Sequence, residues 1–216
     1  MGAYLNRGNS KEKLGDYIGA ISDYSKIIEI LPKNYNYTAY FKRGNVKEIL
    51  QDYKGAIDDY NKVIEIYPEH EEIYYKRGNL RLALEDYSGG IADYTIAIEF
   101  DSTNALLYYE RGYAKSELKD YRGAIADYTK AIKLDPINVS SYNNRGVAKY
   151  KLEDYKGAII DFNKAIELDS KHFRSFRNRG LAKIEMNDID NACLDFSRAG
   201  ELRDYEAYEL IGKYCN

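Results

Sequence analysis

Tryptophan is absent from this 216-residue chain, and proline, cysteine, histidine and methionine come close to absence, at 3, 2, 2 and 2 residues. So little proline leaves long stretches open to helix, because a proline in a helix interior removes a hydrogen bond and breaks the run. The two cysteines, Cys193 and Cys215, form no Cys-x-x-Cys pair and are too few for a disulfide framework or a zinc ribbon, so reduced structural thiols are expected. His70 and His172 lie 102 residues apart with no cysteine near either in sequence, and the carboxylate pairs recur as repeat features. No metal site, cofactor or catalytic residue is therefore expected.

Positive charge is not in excess either: 32 Lys+Arg stand against 35 Asp+Glu, a net charge of −3. Nothing is left over to neutralise phosphates, which disfavours nucleic acid as a partner. No apolar run approaches a membrane span, and the opening MGAYLNRGNS has neither the basic nor the apolar region of a signal peptide. A cytoplasmic chain with no membrane partner is expected.

The composition that remains, 44% hydrophobic with 31% charged, is too apolar for disorder and fits a helix-rich domain. It is also periodic. Arg-Gly recurs at Arg7-Gly8, Arg43-Gly44, Arg77-Gly78, Arg111-Gly112, Arg145-Gly146 and Arg179-Gly180, spaced by 36 residues once and 34 four times. Numbering each glycine as position 8 defines six repeats at 1–34, 37–70, 71–104, 105–138, 139–172 and 173–206, with Tyr35-Asn36 inserted. Position 4 is always aromatic (Tyr4, Tyr40, Tyr74, Tyr108, Tyr142, Phe176), and so is position 24 (Tyr24, Tyr60, Tyr94, Tyr128, Phe162, Phe196). Position 20 is alanine or glycine, position 27 is compact, and Pro32, Pro68 and Pro136 all occupy position 32, where proline stops a helix.

Apolar residues at 4, 8, 10 or 11, and 14 mark one helix per repeat, and those at 17, 20, 21, 24, 27 and 28 mark a second. The small residues at 8 and 20 let the two backbones approach, with aromatics at 4, 17 and 24 around the contact. Aspartate at 16, as in Asp16 and Asp52, is placed to cap the second helix. Arginine at 7 and aspartate at 23 occur in all six repeats and are expected to form a half-buried ladder of ion pairs. Residues 204–215 carry Ala207, Tyr208, Ile211 and Tyr214 along one stripe, the pattern of a terminal helix that solvates the array; Met1 at position 1 has no such cap before it. One repeat loses on the order of 50 kcal/mol of ordering entropy and cannot fold alone, so the array has to be continuous.

The period and the residues at 4, 8, 20, 24, 27 and 32 resemble the tetratricopeptide repeat over residues 1–206. The family usually carries an aliphatic residue at 7 and an aromatic near 11, where this chain has Arg and Lys or Arg. The resemblance implies an all-α, right-handed superhelical solenoid of antiparallel helix pairs, with a concave groove that receives a protein or peptide. Positions 5, 9 and 12 share one face of the first helix, turned away from the core stripe. By resemblance Phe41, Tyr75, Tyr109, Tyr113 and Tyr150 line the groove, joined by Asn9, Asn45, Asn79 and Asn143.

Tyrosine offers apolar area with a polar tip, and asparagine both a donor and an acceptor, which suits an extended peptide backbone. The alternative is that these side chains solvate an exposed face or pack on the next repeat. Family members that clamp a C-terminal carboxylate use a lysine at position 5, but here that position holds Leu5, Phe41 and Tyr75. Arg174 and Arg177 fall on groove positions within the basic run 171–179 and are candidates to dock an acidic stretch, against the alternative of pairing with neighbouring acids. The expected function is a protein-interaction scaffold. End-to-end self-association through the uncapped first repeat is the alternative, and RNA binding is disfavoured by the charge and the period.

Overall fold

The computed structural model describes residues 2–32 and 36–215, and among these the only regular elements are thirteen α-helices. They fall into two compact units. Met1–Phe100 contains α1 (Gly2–Lys13), α2 (Tyr17–Ile30), α3 (Tyr37–Ile49), α4 (Tyr53–Ile66), α5 (Glu71–Ala83) and α6 (Tyr87–Phe100). Asp101–Asn216 contains α7 (Ala105–Glu117), α8 (Tyr121–Leu134), α9 (Val139–Lys151), α10 (Tyr155–Leu168), α11 (Phe173–Glu185), α12 (Ile189–Glu201) and α13 (Tyr205–Tyr214). Within each unit every helix packs on the next in sequence, and α7 also touches α9, as α9 does α11. The positions of Met1 and Tyr35 lie outside the described residues.

Each helix pair is joined by the same tight turn. Position 15 is left-handed in every repeat, at Gly15, Gln51, Glu85, Lys119, Glu153 and Asn187, with φ from 60° to 79°. In the first, Gly15 N donates to Glu12 O at 3.1 Å and Asp16 N to Lys11 O at 2.9 Å, which consumes the carbonyls the helix end would leave bare. Asp16 then caps α2 by accepting from Gly19 N at 2.9 Å, and Asp52, Asp86, Asp120 and Asp154 do the same. Glycine at position 19 is what permits this, because a Cβ there would collide with the aspartate carboxyl. Repeat six has Asn191 at that position, and Asp188 makes no cap bond to the backbone; the asparagine amide instead donates to Asp188 at 2.8 Å.

The chain runs antiparallel within each pair, since residue 7 meets 23 while residue 11 meets 19. Glycine at position 8 lies against the position-24 ring so closely that a Cβ would come within 2.5–3.0 Å of it. That ring is buried in all six pairs. Around it the compact residues at positions 20 and 27 complete the core, as Ala56 and Val63 do beside Tyr60.

The expected ladder of ion pairs is present, and it includes the cation at position 11. Arg43 Nε donates to Asp59 Oδ2 at 2.9 Å and Nη2 to Oδ1 at 2.6 Å, while Lys47 Nζ lies 2.8 Å from Oδ2. The same three-residue unit recurs from Arg7–Lys11–Asp23 to Arg179–Lys183–Asp195. The departures from the family pattern at 7 and 11 are therefore one feature, two cations on one buried carboxylate. The position-7 arginine also reaches the preceding pair: Arg43 Nη1 donates to Ser25 Oγ at 2.9 Å, and Arg77 to Asn61 Oδ1 at 2.6 Å.

Two expectations at the C-terminal end are corrected. Cys193 and Cys215 are not free thiols but a disulfide, with Cα atoms 5.7 Å apart. Packing of α13 on α12 brings two distant cysteines to bridging distance, which their sequence spacing alone does not show. Tyr208, placed by the sequence on the buried stripe of α13, is 56% exposed; Ala207 is the residue that is fully buried. No helix among the described residues is long and apolar enough to cross a membrane.

Candidate interaction surface

In the N-terminal unit the position-9 asparagines form an ordered series fixed from behind. Tyr24 Oη lies 2.9 Å from Asn9 Oδ1, Tyr60 Oη 2.8 Å from Asn45 Oδ1, and Tyr94 Oη 2.7 Å from Asn79 Oδ1. In the first two repeats the same hydroxyl is also 2.7 Å from Glu12 and Glu48. Burial first, and then the adjacent glutamate, push the Tyr24 and Tyr60 phenols far above their ordinary range, so they remain protonated donors. Tyr94 is thus placed to donate to the Asn79 carbonyl, whereas in the first two repeats the single hydroxyl proton goes to the closer glutamate carboxylate and the asparagine amide is held beside the same oxygen.

Asn45 and Asn79 border a cleft of about 630 Å³ between α3, α4 and α5, together with Glu48, Tyr53, Lys76 and Leu80. Lys76 Nζ sits 3.3 Å from Glu48 Oε2 on its wall. The other two candidates of this unit back the same face. Phe41 packs on Tyr60 and His70, with centroids 6.4 and 5.2 Å apart, and Tyr75 packs on Tyr94 at 6.3 Å. Both are half-buried, so they offer edges rather than whole faces.

The C-terminal unit distributes its candidates differently. Tyr109 packs on Tyr128 at 5.9 Å and accepts from Asn144 Nδ2 at 3.2 Å; burial raises its phenol above the ordinary range. Tyr113 is 38% exposed. Asn143 is buried: it accepts from Ser175 Oγ and Asn178 Nδ2, each at 3.1 Å, and donates to Asn144 at 3.1 Å, so it joins neighbouring repeats and faces no open groove. Tyr150 lies against Tyr155 at 5.4 Å and donates to Glu185 at 3.3 Å, with its phenol pushed up to about 12 by burial and then by that carboxylate. It borders a smaller cleft of about 200 Å³ with Val147, Phe162, Asn178 and Leu181.

The two arginines separate. Arg174 is exposed, its guanidinium 5.5 Å from the Phe173 ring centre. Arg177 is held by Asp204 at 2.7 Å and Glu206 at 2.8 Å, acids of the terminal helix region, and serves to seat α13.

Glu48, Tyr53 and Lys76 were not singled out from the sequence, although a signal for Glu48 exists: position 12 lies one turn beyond position 9 on the same face. A second signal is the pairing of positions 9 and 24. Asparagine accompanies tyrosine in Asn9/Tyr24, Asn45/Tyr60 and Asn79/Tyr94, Tyr113 takes its place beside Tyr128, and Val147 and Leu181 accompany Phe162 and Phe196, which have no hydroxyl to satisfy.

Tetratricopeptide-repeat family profiles match residues 2–34, 37–70 and 139–172, and a further TPR-repeat profile matches 114–153, together more than half of the chain. No curated protein sequence matches significantly. Among solved structures, MamA protein is similar at TM-score 0.73 and 26% identity, over 82% of this chain and 94% of that one. The C-terminal part of a TPR repeat-containing protein from Cytophaga hutchinsonii is similar at TM-score 0.78 and 20% identity, over 97% and 87%. YrrB, described as a TPR protein with an unusual peptide-binding site, is similar at 0.73 and 23%, over 80% and 88%.

Proposed function

Because this chain belongs to the tetratricopeptide repeat family, we propose that it is a protein-interaction scaffold that holds an extended peptide or partner segment against its first helices. The observation that carries this reading is the pair Asn45 and Asn79, one repeat apart on the rim of one cleft, each fixed from behind by the hydroxyl of Tyr60 or Tyr94. Amides one repeat apart suit the donors and acceptors of an extended backbone, and the cleft they border, lined by charged and apolar side chains together, accepts a side chain. In the second unit Tyr109, Tyr113, Tyr150 and Arg174 supply aromatic surface and a cation for the same kind of ligand.

Peptides selected from a random display library against the whole chain test the proposal. A selected peptide that loses affinity to the Asn45→Ala/Asn79→Ala variant, folded by circular dichroism, supports binding at this face. Peptides that bind both forms equally would move recognition elsewhere on the molecule.

A second reading, self-association through the first repeat, is favoured by Arg7. Arg43, Arg77, Arg145 and Arg179 each extend Nη1 to position 25 of the pair before. Arg7 Nη1 has no partner among the described residues, and its side chain is 58% exposed. Sedimentation velocity over a range of concentrations, on wild type and Arg7→Glu, decides this: a mass independent of concentration would end the reading.

A further inference from the structure

The linker from α4 to α5 departs from the pattern of the linkers that follow it. Position 31 is an aspartate in three later linkers, where Asp101, Asp135 and Asp169 each accept from the backbone N–H two residues on, at 2.9, 3.3 and 2.9 Å. Position 34 is an asparagine before α7 and α9, and Asn104 and Asn138 cap those helices. Between α4 and α5 the same two positions hold Tyr67 and His70. A tyrosine has no short polar side chain to close the turn, and His70 makes no side-chain cap bond to α5. The linker forgoes two local hydrogen bonds and gains aromatic surface, and a local rule broken in this way is expected where a residue serves function.

The aromatic residues form one cluster. Tyr67 lies 5.6 Å from Tyr37, the first residue of α3, and 5.8 Å from His70, with ring planes inclined at 57° and 77°. Phe41 backs the cluster, its ring 5.2 Å from that of His70. The outer side is open to solvent, since Tyr37 is 38% and Tyr67 43% exposed. Around it stand Glu69, Glu71 and Glu72, all exposed and none hydrogen-bonded or ion-paired to a described residue.

Elsewhere the chain shows what it places on an aromatic ring. The position-4 ring of every repeat carries the guanidinium of its own position-7 arginine, 5.1–5.8 Å from the ring centre. Tyr37 and Tyr67 have no lysine or arginine over them among the described residues.

We propose that Tyr37 and Tyr67, with the acids beside them, dock a basic segment of a partner protein, one arginine lying on the tyrosine rings. Ring faces attract a cation, and three unpaired carboxylates close by supply the counter-charge. Arginine fits better than lysine, because its planar guanidinium stacks on a ring while its remaining N–H groups reach a carboxylate. This surface lies at the linker and does not depend on peptide binding at Asn45 and Asn79.

The probe is a fluorescein-labelled tetra-arginine peptide, titrated by anisotropy into the whole chain. The deciding variant is Tyr67→Asp/His70→Asn, which installs the residues that Asp101 and Asn104 provide in another linker and so keeps the fold, as circular dichroism checks. It removes two rings but adds an acid. Attraction by net charge alone would therefore tighten binding, whereas docking on the rings predicts affinity about ten-fold weaker. Glu69→Gln/Glu71→Gln should weaken binding as well, and a tetra-citrulline peptide, uncharged but of the same shape, should not bind. Asn45→Ala/Asn79→Ala should leave the affinity unchanged. Binding that Tyr67→Asp/His70→Asn leaves equal or makes tighter overturns the proposal, as does loss of binding in Asn45→Ala/Asn79→Ala, which would place the arginines in the cleft. A concentration-dependent dimer abolished by Tyr67→Asp/His70→Asn also overturns it, in favour of a second copy on this surface.

Discussion

Arg43 grips Asp59 with two nitrogens, Nε at 2.9 Å and Nη2 at 2.6 Å, and the carboxylate it holds is 2% exposed. Lys47 occupies the remaining side. Removing the carboxylate by Asp59→Ala leaves two half-buried cations facing each other without their shared counter-charge, and a loss of about 3 kcal/mol in unfolding free energy is expected. A variant that also carries Arg43→Leu and Lys47→Leu should recover most of that loss, because no charge remains unpaired. Urea denaturation of both variants checks this, and a triple variant no more stable than the single one would show that the trio contributes net stability.

Acid should weaken the first repeat in a defined window. The hydrogen bond from Arg7, with help from Lys11 and against the effect of burial, holds the Asp23 carboxyl at about 2, below the usual range. Its folded-state value is lowered, so the unfolded chain binds the proton more readily between about pH 4 and pH 2. The resulting stability is complete above about pH 4 and is lost as pH falls through the folded value near 2. The midpoint of urea unfolding, followed by amide signals of α1 and α2, should drop across this window in wild type and drop less in Arg7→Gln. Equal drops would assign the acid sensitivity to other groups.

Much of this was legible in the sequence, because a repeat shows each position six times. The glycine at 8, the aromatic at 24, the aspartate cap and the arginine–aspartate pair each follow from one local pattern, and the structure contains all four. What remained hidden depends on contacts between elements far apart in sequence. Arg177 lies on a groove position by register, yet Asp204 enters from another helix and claims it. Asn143 is turned into the interface by Ser175 and Asn178 of the next repeat. Periodicity identifies the face a residue occupies, but not which neighbour reaches it first.

The left-handed turn offers a stabilising substitution. Position 15 has φ between 60° and 79° in all six repeats, but only Gly15 is a glycine. An L-residue there costs roughly 1–2 kcal/mol, partly offset by the greater freedom glycine has when unfolded. Glu153→Gly should therefore raise the unfolding free energy by about 0.5–1 kcal/mol, and Gly15→Ala should lower it by about 1 kcal/mol. Thermal unfolding of the two variants measures both, and a neutral or destabilising Glu153→Gly would mean that the glutamate side chain stabilises the turn in another way.

The disulfide between Cys193 and Cys215 closes a loop across a sequence separation of 22 residues and fastens the end of α13 to α12. Closing a loop of that size removes unfolded-state entropy worth about 3 kcal/mol. In an array whose helices contact mainly their neighbours, the loss of this tether is felt locally. Arg177–Asp204 and the buried Ala207 still hold the start of α13, so the effect should concentrate towards its C-terminal end. Hydrogen exchange on the reduced chain or on Cys215→Ser should show the amides of Leu210–Tyr214 opening about a hundred-fold more readily, with protection in α7–α10 unchanged. If those amides stay protected, packing alone secures α13. If they open, the disulfide is what holds the C-terminal end of the helix on α12.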